Sequence, residues 1–263
     1  MPGPITADSL QHLLTTTCFG RTLYVLPQTS STNDDLKSLA LRSAPEGTVV
    51  VADHQTKGRG RQGRSFASPP GVGIYLSLLL YPTLETSRLP QLTLMVAVAT
   101  AETLAEVSGL SINLKWPNDV EIGGKKVSGI LTEAVIQPGA APAVIVGIGI
   151  NVNNEWKHFP PELRERATSL ALAAGQRFSR LQLIARLLNQ LERFYLTWQQ
   201  TGIAPILERW LYYGPIVGRP VRFSAAESNG IGIVTGLDVD GALLVDTGGD
   251  TPQRIYSGEI IYL

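Results

Sequence analysis

The sequence is poor in the residues that build disulfide frameworks and metal centres. Its 263 residues include one cysteine, Cys18, and three histidines, His12, His54 and His158. A single cysteine excludes an internal disulfide and favours a reducing compartment. Three scattered histidines argue against a histidine-based metal site. We therefore expect no metal ion held by protein ligands alone.

Long apolar runs and an excess of either charge are also missing. Lys and Arg together number 22, as do Asp and Glu, so the formal net charge is zero. This balance gives no bulk attraction to nucleic acid or to an acidic membrane. No run approaches the roughly 20 apolar residues of a membrane span, and the first residues lack the basic and apolar regions of a signal peptide. We expect a cytoplasmic protein whose partners include neither nucleic acid nor a membrane.

Helical and strand patterns are mixed through most of the chain. Their order predicts an α+β domain in which helices cover one face of a mixed sheet. The predicted strands lie near residues 22–26, 47–53, 73–80, 113–116, 126–137 and 143–152, and the predicted helices near 31–42, 89–107, 179–199 and 204–212.

The pattern changes at Gly214-Pro215, which we take as a domain boundary separating residues 1–214 from residues 215–263. Beyond it, short strands near 220–224, 230–237, 241–246 and 253–256 alternate with glycine turns. Short strands at this spacing predict a small β-barrel.

The basic loop Lys57–Arg64 is the most informative segment. Its three glycines permit positive φ and close approach of the backbone to a ligand. Arg59, Arg61 and Arg64 present planar donor forks that suit carboxylate or phosphate. Because the chain has no net charge, this local positive density indicates a small anionic ligand. A solvated, disordered connection and a nucleic-acid contact are the alternatives. The chain has no Gly-x-x-x-x-Gly-Lys-Ser/Thr pattern, so the loop is not a Walker phosphate loop.

Three further motifs carry polar residues near strand ends. Lys115–Asp119 joins a strand end to a proline and two turn formers, and Gly123–Leu131 places two lysines before an apolar strand. Alternation sends only one of those lysines to a given face, and Lys126 is nearer to the apolar strand. In Gly147–Asn153 alternating glycines leave one strand face open, and Asn151 is a candidate polar ligand. Each motif alone also fits a structural role, as a tight turn, a basic hairpin tip or close sheet packing.

Taken together and in this order, the motifs resemble those of the biotin protein ligase family. Short motifs that agree in both residue type and order are far more specific than any one of them. The resemblance covers nearly the whole chain, from about Leu23 to Ile260. The matching segments are Ser31–Asn33, Gly58–Arg64, Lys115–Asp119, Lys126–Glu133 and Gly258–Ile260.

The resemblance implies a fold and an activity. The fold is α+β, a class II synthetase-like catalytic domain with a mixed β-sheet covered by helices, followed by a small C-terminal SH3-like β-barrel. The activity is activation of biotin with ATP and Mg²⁺ to give biotinyl-5′-AMP, followed by transfer of biotin to a lysine of the biotin carboxyl carrier protein of acetyl-CoA carboxylase. The edge strands of the predicted sheets could pair with a second copy of the chain, so the sequence also allows a homodimer.

The resemblance also assigns residues. Lys126 and Arg61 are the expected catalytic residues, because cations must offset the repulsion between the biotin carboxylate and the α-phosphate. The expected contacts to biotin and the adenylate are Ser31, Thr32, Asn33, Gln55, Gly58, Arg59, Gly60, Arg61, Phe66, Lys126, Gly129 and Asn151.

The sequence departs from the family pattern at two places. Phe66 stands where well-known bacterial members carry tryptophan; its ring can still stack on adenine, over less area and without an N–H group. About 20 residues precede the first predicted strand, too few for the helix-turn-helix domain of some members, so we expect a ligase without repressor function. Two alternatives stay open: a lipoate or octanoate ligase or transferase on a related fold, and a non-enzymatic sensor of biotin or adenylate, against which the presence of Lys126 argues.

Overall fold

A computed structural model describes residues 5–82, 89–136, 142–225 and 228–263. The larger of its two sheets has seven strands in the order β1-β2-β3-β7-β6-β5-β4. The β1–β2 pair is parallel and the other pairs are antiparallel, so the sheet is mixed as predicted. The strands are β1 (Leu23–Leu26), β2 (Val49–Ala52), β3 (Gly73–Leu80), β4 (Asn113–Lys115), β5 (Asp119–Ile122), β6 (Lys125–Val135) and β7 (Ala143–Asn151).

Helices lie on both faces of this sheet, which corrects the expectation that they cover one face only. Val49 and Val51 of β2 join the large core that α3 and α5 help to form. Val50, between them, joins a smaller core with Leu36 of α2 and Leu79 of β3. The helices are α1 (Ala7–Gln11), α2 (Thr32–Ala40), α3 (Leu89–Ser108), α4 (Leu170–Ala174), α5 (Arg180–Thr201) and α6 (Ala204–Tyr213). A strand alternates its side chains between faces, and in β2 both faces are apolar because both are covered.

Most predicted elements are confirmed to within a few residues, and the exceptions are short. The sequence interpretation missed α1, α4, β5 and the last strand of the chain. Residue 137, the predicted end of β6, lies outside the described residues. The sequence favours a turn at the start of β5, because Asn118 and Asp119 are turn formers. The turn is real, but the chain reverses early enough for Asp119 to pair with Gly129 of β6.

The C-terminal part forms a second, five-stranded antiparallel sheet in the order β11-β10-β9-β8-β12. The inward side chains of Val221, Phe223 and Val234 are buried, as expected of a small SH3-like barrel. This sheet contacts the larger domain, because Trp116 Nε1 donates to Gly241 O over 3.4 Å. The strands are β8 (Pro220–Ser224), β9 (Asn229–Leu237), β10 (Leu243–Asp246), β11 (Gln253–Ile255) and β12 (Glu259–Tyr262).

No helix within the described ranges combines the length and apolar character that crossing a bilayer requires.

A buried carboxylate ties the N-terminal segment to α5. Glu192 is 7% exposed, and its two oxygens accept backbone N–H groups from Thr17 at 2.7 Å, Cys18 at 2.7 Å and Phe19 at 2.9 Å. Hydrogen bonds to a charged acceptor are stronger than those between neutral groups. One side chain therefore satisfies three consecutive donors that no strand or helix pairs.

We expect Glu192→Gln to lower the free energy of unfolding by about 2 kcal/mol, because an amide cannot accept all three donors. Urea denaturation followed by circular dichroism measures the change. The matched control is Glu106→Gln, since Glu106 pairs with Arg186 at an exposed site where the loss should stay below about 0.5 kcal/mol. Equal losses in the two variants would show that the backbone contacts of Glu192 contribute little.

Candidate active site

A cavity opens on the α2 face of the larger sheet, at a place where three strand positions are glycine. Ser77 of β3, Gly147 of β7 and Leu131 of β6 lie in one cross-strand row, and Gly149 and Gly129 lie side by side in the next. The residues lining the cavity are Ser31, Thr32, Asn33, Gln55, Arg59, Gly60, Arg61, Phe66, Leu76, Asn118, Lys126, Gly129, Ile130, Leu131, Gly147, Ile148 and Gly149. The alternating glycines Gly147 and Gly149 line this cavity, and side chains from other segments pack against them, so both explanations left open by the sequence contribute.

The three glycines of these rows lie against side chains that the site uses. A Cβ atom on Gly147 would lie 2.3 Å from Asn33 Oδ1, and one on Gly149 would lie 2.6 Å from Phe66 Cε1. A Cβ on Gly129 would lie 2.9 Å from both Cε and Nζ of Lys126. Hydrogen is the only substituent that leaves all three neighbours where they are.

One wall of the cavity is neutral and polar. Gln55 Oε1 accepts from the backbone N–H of Thr32 at 2.9 Å, and Gln55 Nε2 donates to Ser68 Oγ at 2.9 Å. Ser77 Oγ lies 2.7 Å from Thr32 Oγ1 and 2.6 Å from Asn33 Oδ1. These contacts fix the orientation of both amide groups, so the wall presents a defined pattern of donors and acceptors.

Ser31 occupies the N-cap position of α2 but does not cap it. Its backbone is extended, and its side chain makes no capping hydrogen bond. Serine at this position ordinarily accepts a backbone N–H of the first turn. The buried Ser31 instead lines the cavity, where its hydroxyl can meet a ligand.

The glycines of the basic loop have different structural roles. A Cβ on Gly58 would lie 2.4 Å from Phe66 O, so this glycine permits two parts of the loop to touch, and Phe66 N donates to Gly58 O at 2.9 Å. Of the three loop glycines only Gly63 has positive φ, 74°, next to Gln62 at 54°. The loop thus uses positive φ at Gly63 and close backbone packing at Gly58.

Arg61 and Arg64 of the basic loop both contact the C-terminal domain. Arg61 Nη1 donates to Asn118 Oδ1 at 3.0 Å and lies 3.5 Å from Gly258 O. Arg64 forms an ion pair with Glu259. Burial lowers the pKa of Arg61, while Asp119 and Glu259 act in the opposite direction. Arginine stays protonated even so, and a partly desolvated guanidinium gains more from an anionic ligand than one in bulk water.

Of the two neighbouring lysines, only Lys126 faces the cavity. Its Nζ lies 2.6 Å from Asp119 Oδ1 on the adjacent strand. Lys125 points away, with Nζ 5.4 Å from the centre of the Trp156 ring. The expectation that strand alternation separates the two lysines is confirmed.

Two acidic side chains near the cations have shifted pKa values in opposite directions. Burial raises the pKa of Glu121, and the charges of Lys115 and Lys126 only partly offset this. Burial would also raise the pKa of Glu133. Hydrogen bonds from Lys37 and Asn33, with the charges of Lys37 and Arg59, outweigh the effect and hold that pKa below its ordinary value. Glu133 is therefore ionised at neutral pH.

The cavity brings together most of the residues assigned from the sequence. Gly58 does not line it and acts through loop packing. Asn151 does not line it either, because its buried side chain donates to Thr168 O at 3.0 Å; we therefore leave Asn151 out of the site. The lining residues Ser31, Thr32, Asn33, Gln55, Arg59, Gly60, Arg61, Phe66, Lys126 and Gly129 were all expected.

The sequence assignment leaves out several lining or supporting residues, among them Asn118, Gly147 and Ser77. Asn118 belongs to the Lys115–Asp119 motif, whose structural role as a turn concealed its contact with Arg61. Gly147 belongs to the alternating glycines, but the sequence does not show that Asn33 packs against it. Ser77 supports the wall from below, and its signal in the sequence is a single serine within the apolar run of β3.

The part of the chain that the structure describes contains no group of three or more His, Cys, Asp or Glu side chains placed to hold a metal ion.

The fold and the site agree with one class of protein. The Biotin/lipoate A/B protein ligase family matches residues 25–151, and the Biotin protein ligase C terminal domain matches residues 216–262. The bifunctional ligase/repressor BirA of Bacillus subtilis is 39% identical over 98% of this chain and 79% of its own length. The biotin–[acetyl-CoA-carboxylase] ligase of Mycobacterium tuberculosis is 32% identical over 92% of this chain and 90% of its own length.

A solved structure is similar to this protein over most of the chain. The biotin protein ligase from Aquifex aeolicus, in complex with biotin and ATP, superposes with a TM-score of 0.80 at 33% identity, covering 92% of this chain and 99% of that one. The chain therefore belongs to the biotin protein ligase family.

Proposed function

We propose that this protein is a biotin–[acetyl-CoA-carboxylase] ligase. In the first step a carboxylate oxygen of biotin bonds to the α-phosphorus of ATP, the bond to the β-phosphate breaks, and pyrophosphate leaves. In the second step the amine of an acceptor lysine bonds to the biotin carbonyl carbon and loses a proton, and AMP leaves. The observation that carries the proposal is that three cationic side chains and a neutral polar wall border one cavity.

The neutral wall suits the uncharged ureido ring of biotin. Such a ring offers two N–H donors and one carbonyl acceptor, and hydroxyl and amide groups can match both kinds. Ser31, Thr32, Asn33 and Gln55 all line this wall, and hydrogen bonds within the protein orient the last three of them. Lipoate has no ureido group, so it would form none of the additional hydrogen bonds that these side chains offer to biotin. The wall thus favours biotin over lipoate.

We expect Gly147→Ala to weaken biotin binding by about tenfold or more, since the added methyl displaces the Asn33 amide and one good hydrogen bond is worth about that factor. Isothermal titration with biotin measures the effect. Gly236→Ala is the matched control, because no atom lies within 4 Å of a Cβ there and its φ is unexceptional. Unchanged biotin affinity in the Gly147 variant would place the ring elsewhere.

The part of the cavity lined by Lys126 and Arg61 suits the two groups that react, the biotin carboxylate and the α-phosphate of ATP. The biotin carboxylate and the α-phosphate are both anionic, and bringing them together without nearby positive charge is unfavourable. Lys126 is a compact charge that can reach both partners, whereas Arg61 offers a planar fork to a phosphate. Asp119 orients the Lys126 amine before ligand arrives. We assign these two cations to stabilising the charge that builds up on the phosphoryl oxygens.

Phe66 is the proposed partner of adenine. Its ring lies against the backbone of Gly149 and edge-on to Tyr75, with ring centres 6.4 Å apart and an interplanar angle of 70°. An aromatic ring can stack on a base. Because Phe66 follows directly on the basic loop, stacking on adenine would couple loop position to nucleotide binding.

Further partners follow from the chemistry. Magnesium in nucleotide sites is usually held by substrate phosphates together with one or two carboxylates, so we propose that Mg²⁺ enters with ATP.

We propose residues 1–214 as the catalytic domain, with residues 215–263 as the barrel that supports the loop. The acceptor is the biotin carboxyl carrier protein of acetyl-CoA carboxylase, and since the reaction consumes ATP we place it in the cytoplasm.

Lys126→Met should reduce biotin-dependent exchange between ATP and pyrophosphate by about 100-fold or more, the usual effect of removing a group that stabilises transition-state charge. Lys125→Met is the matched control and should stay within about twofold of the unsubstituted protein, because the Lys125 side chain points to Trp156. Equal rates in the two variants would remove Lys126 from the mechanism.

The same assay separates the alternatives. Exchange that depends on lipoate and not on biotin would favour a lipoate ligase. Tight retention of biotinyl-5′-AMP, with no mass increase on an acceptor carrier domain, would favour a sensor. We expect exchange with biotin and a biotin-sized mass increase on the carrier.

Closure of the basic loop over ligand is a further expectation, since the acyl-adenylate is a reactive mixed anhydride that must be shielded from water. Limited proteolysis by trypsin within residues 57–66 should be several-fold slower with biotin and Mg-ATP than without them. Cleavage in the exposed Lys157–Arg166 region is the internal reference. Equal protection of both regions, or of neither, would contradict closure.

A further inference from the structure

Arg59 has one end of its guanidinium occupied and the other end free. Its Nη2 lies 2.7 Å from Asp34 Oδ1 and 2.9 Å from Glu133 Oε2. Its Nε is buried and has no hydrogen-bond partner among the described residues. Arg59 lines the cavity. A buried N–H without a partner is costly, and a ligand oxygen in the cavity would satisfy it.

Glu133 is held firmly enough to orient that guanidinium. Its Oε2 also accepts from Asn33 Nδ2 at 2.7 Å, and its Oε1 accepts from Lys37 Nζ at 2.7 Å. Glu133 stays ionised because these donors lower its pKa despite burial. The side chain of Asp34 is 46% exposed against 22% for Glu133, so solvent screens its pairing with Arg59 more strongly.

We propose that Glu133 is a positioning residue: it fixes the Nη2 end of Arg59 so that Nε faces the cavity and donates to an oxygen of the bound adenylate. The role rests on the proposed function, because it acts on the intermediate of that reaction. Glu133 does not line the cavity and acts through Arg59. Its effect should appear in the retention of biotinyl-5′-AMP, since a well-directed charge-assisted hydrogen bond slows ligand release.

A double-mutant cycle tests the role. The measured quantity is the rate at which biotinyl-5′-AMP formed on the enzyme is released, followed by rapid filtration after a chase with unlabelled biotin. We expect Glu133→Gln to raise this rate about tenfold and Arg59→Met to raise it at least as much, as for loss of one charge-assisted hydrogen bond. The double variant should release biotinyl-5′-AMP more slowly than the product of the two single effects predicts, because the part of the Glu133 effect that acts through Arg59 is then lost; the remainder reflects the bond from Asn33 to Glu133.

Lys37→Met is the matched control for the carboxylate. Lys37 is as close to Glu133 as Arg59 is, but it contacts the other oxygen and does not line the cavity. Its removal should leave the release rate within about twofold of the unsubstituted protein, which supports the route through Arg59. A Lys37→Met release rate equal to that of Glu133→Gln would show that Glu133 acts through the fold and overturn the proposal.

Additive effects in the cycle would also overturn the positioning role. Should Glu133→Gln fail to fold, judged by its thermal midpoint without ligand, Glu133→Asp replaces it; drawing the carboxylate back by one methylene should still raise the release rate, and an unchanged rate would count against the proposal. Failure of the unsubstituted protein to form any adenylate would overturn the proposed function and this role with it. Formation of adenylate with an additive cycle would overturn the positioning role alone.

Discussion

The site depends on a steric constraint: three neighbouring positions on one sheet face carry no side chain. Gly147, Gly149 and Gly129 sit in adjoining strands, and each lies against a group that borders the cavity. The opposite face of the same strands is packed with branched residues beneath α3 and α5. The strands are therefore packed on the face away from the site, and on the site face they leave room for the side chains of Asn33, Phe66 and Lys126. A rigid sheet beneath the site limits how much of the protein a ligand must reorder, and the basic loop is the part expected to move.

Charge is distributed over the site so that partner groups offset part of the repulsion between cations before a ligand binds. Each cationic side chain near the cavity has a carboxylate or amide partner: Lys126 has Asp119, Arg59 has Glu133 and Asp34, and Arg61 has Asn118. Several of these partners are partly exposed, so an incoming anion can share the cation without first breaking a deeply buried pair. The arrangement reconciles a strongly basic loop with a chain of zero net charge.

The sequence predicts a large part of this structure because its long elements carry clear periodic patterns. The bounds of β3 match those predicted from its apolar run, and the start of α5 follows Ser179, whose side chain accepts from Gln182 N as a cap. The predictions fail where local and tertiary preferences conflict. Asn118 and Asp119 favour a turn locally, yet pairing with β6 makes a strand of Asp119. Asn151 ends a strand as a ligand could, yet Thr168 O satisfies its amide. Such outcomes depend on contacts between residues far apart in the chain.

The contacts at Gly258 and Glu259 have a consequence for the history of the chain. Arg61 reaches the carbonyl of Gly258, and Arg64 pairs with Glu259, so a loop encoded near the first quarter of the sequence meets the last strand. A recombination event that exchanged only the terminal barrel would bring in a strand unsuited to this loop, unless an acidic residue arrived at the matching place. Lineages of this protein should therefore inherit the two segments as a pair.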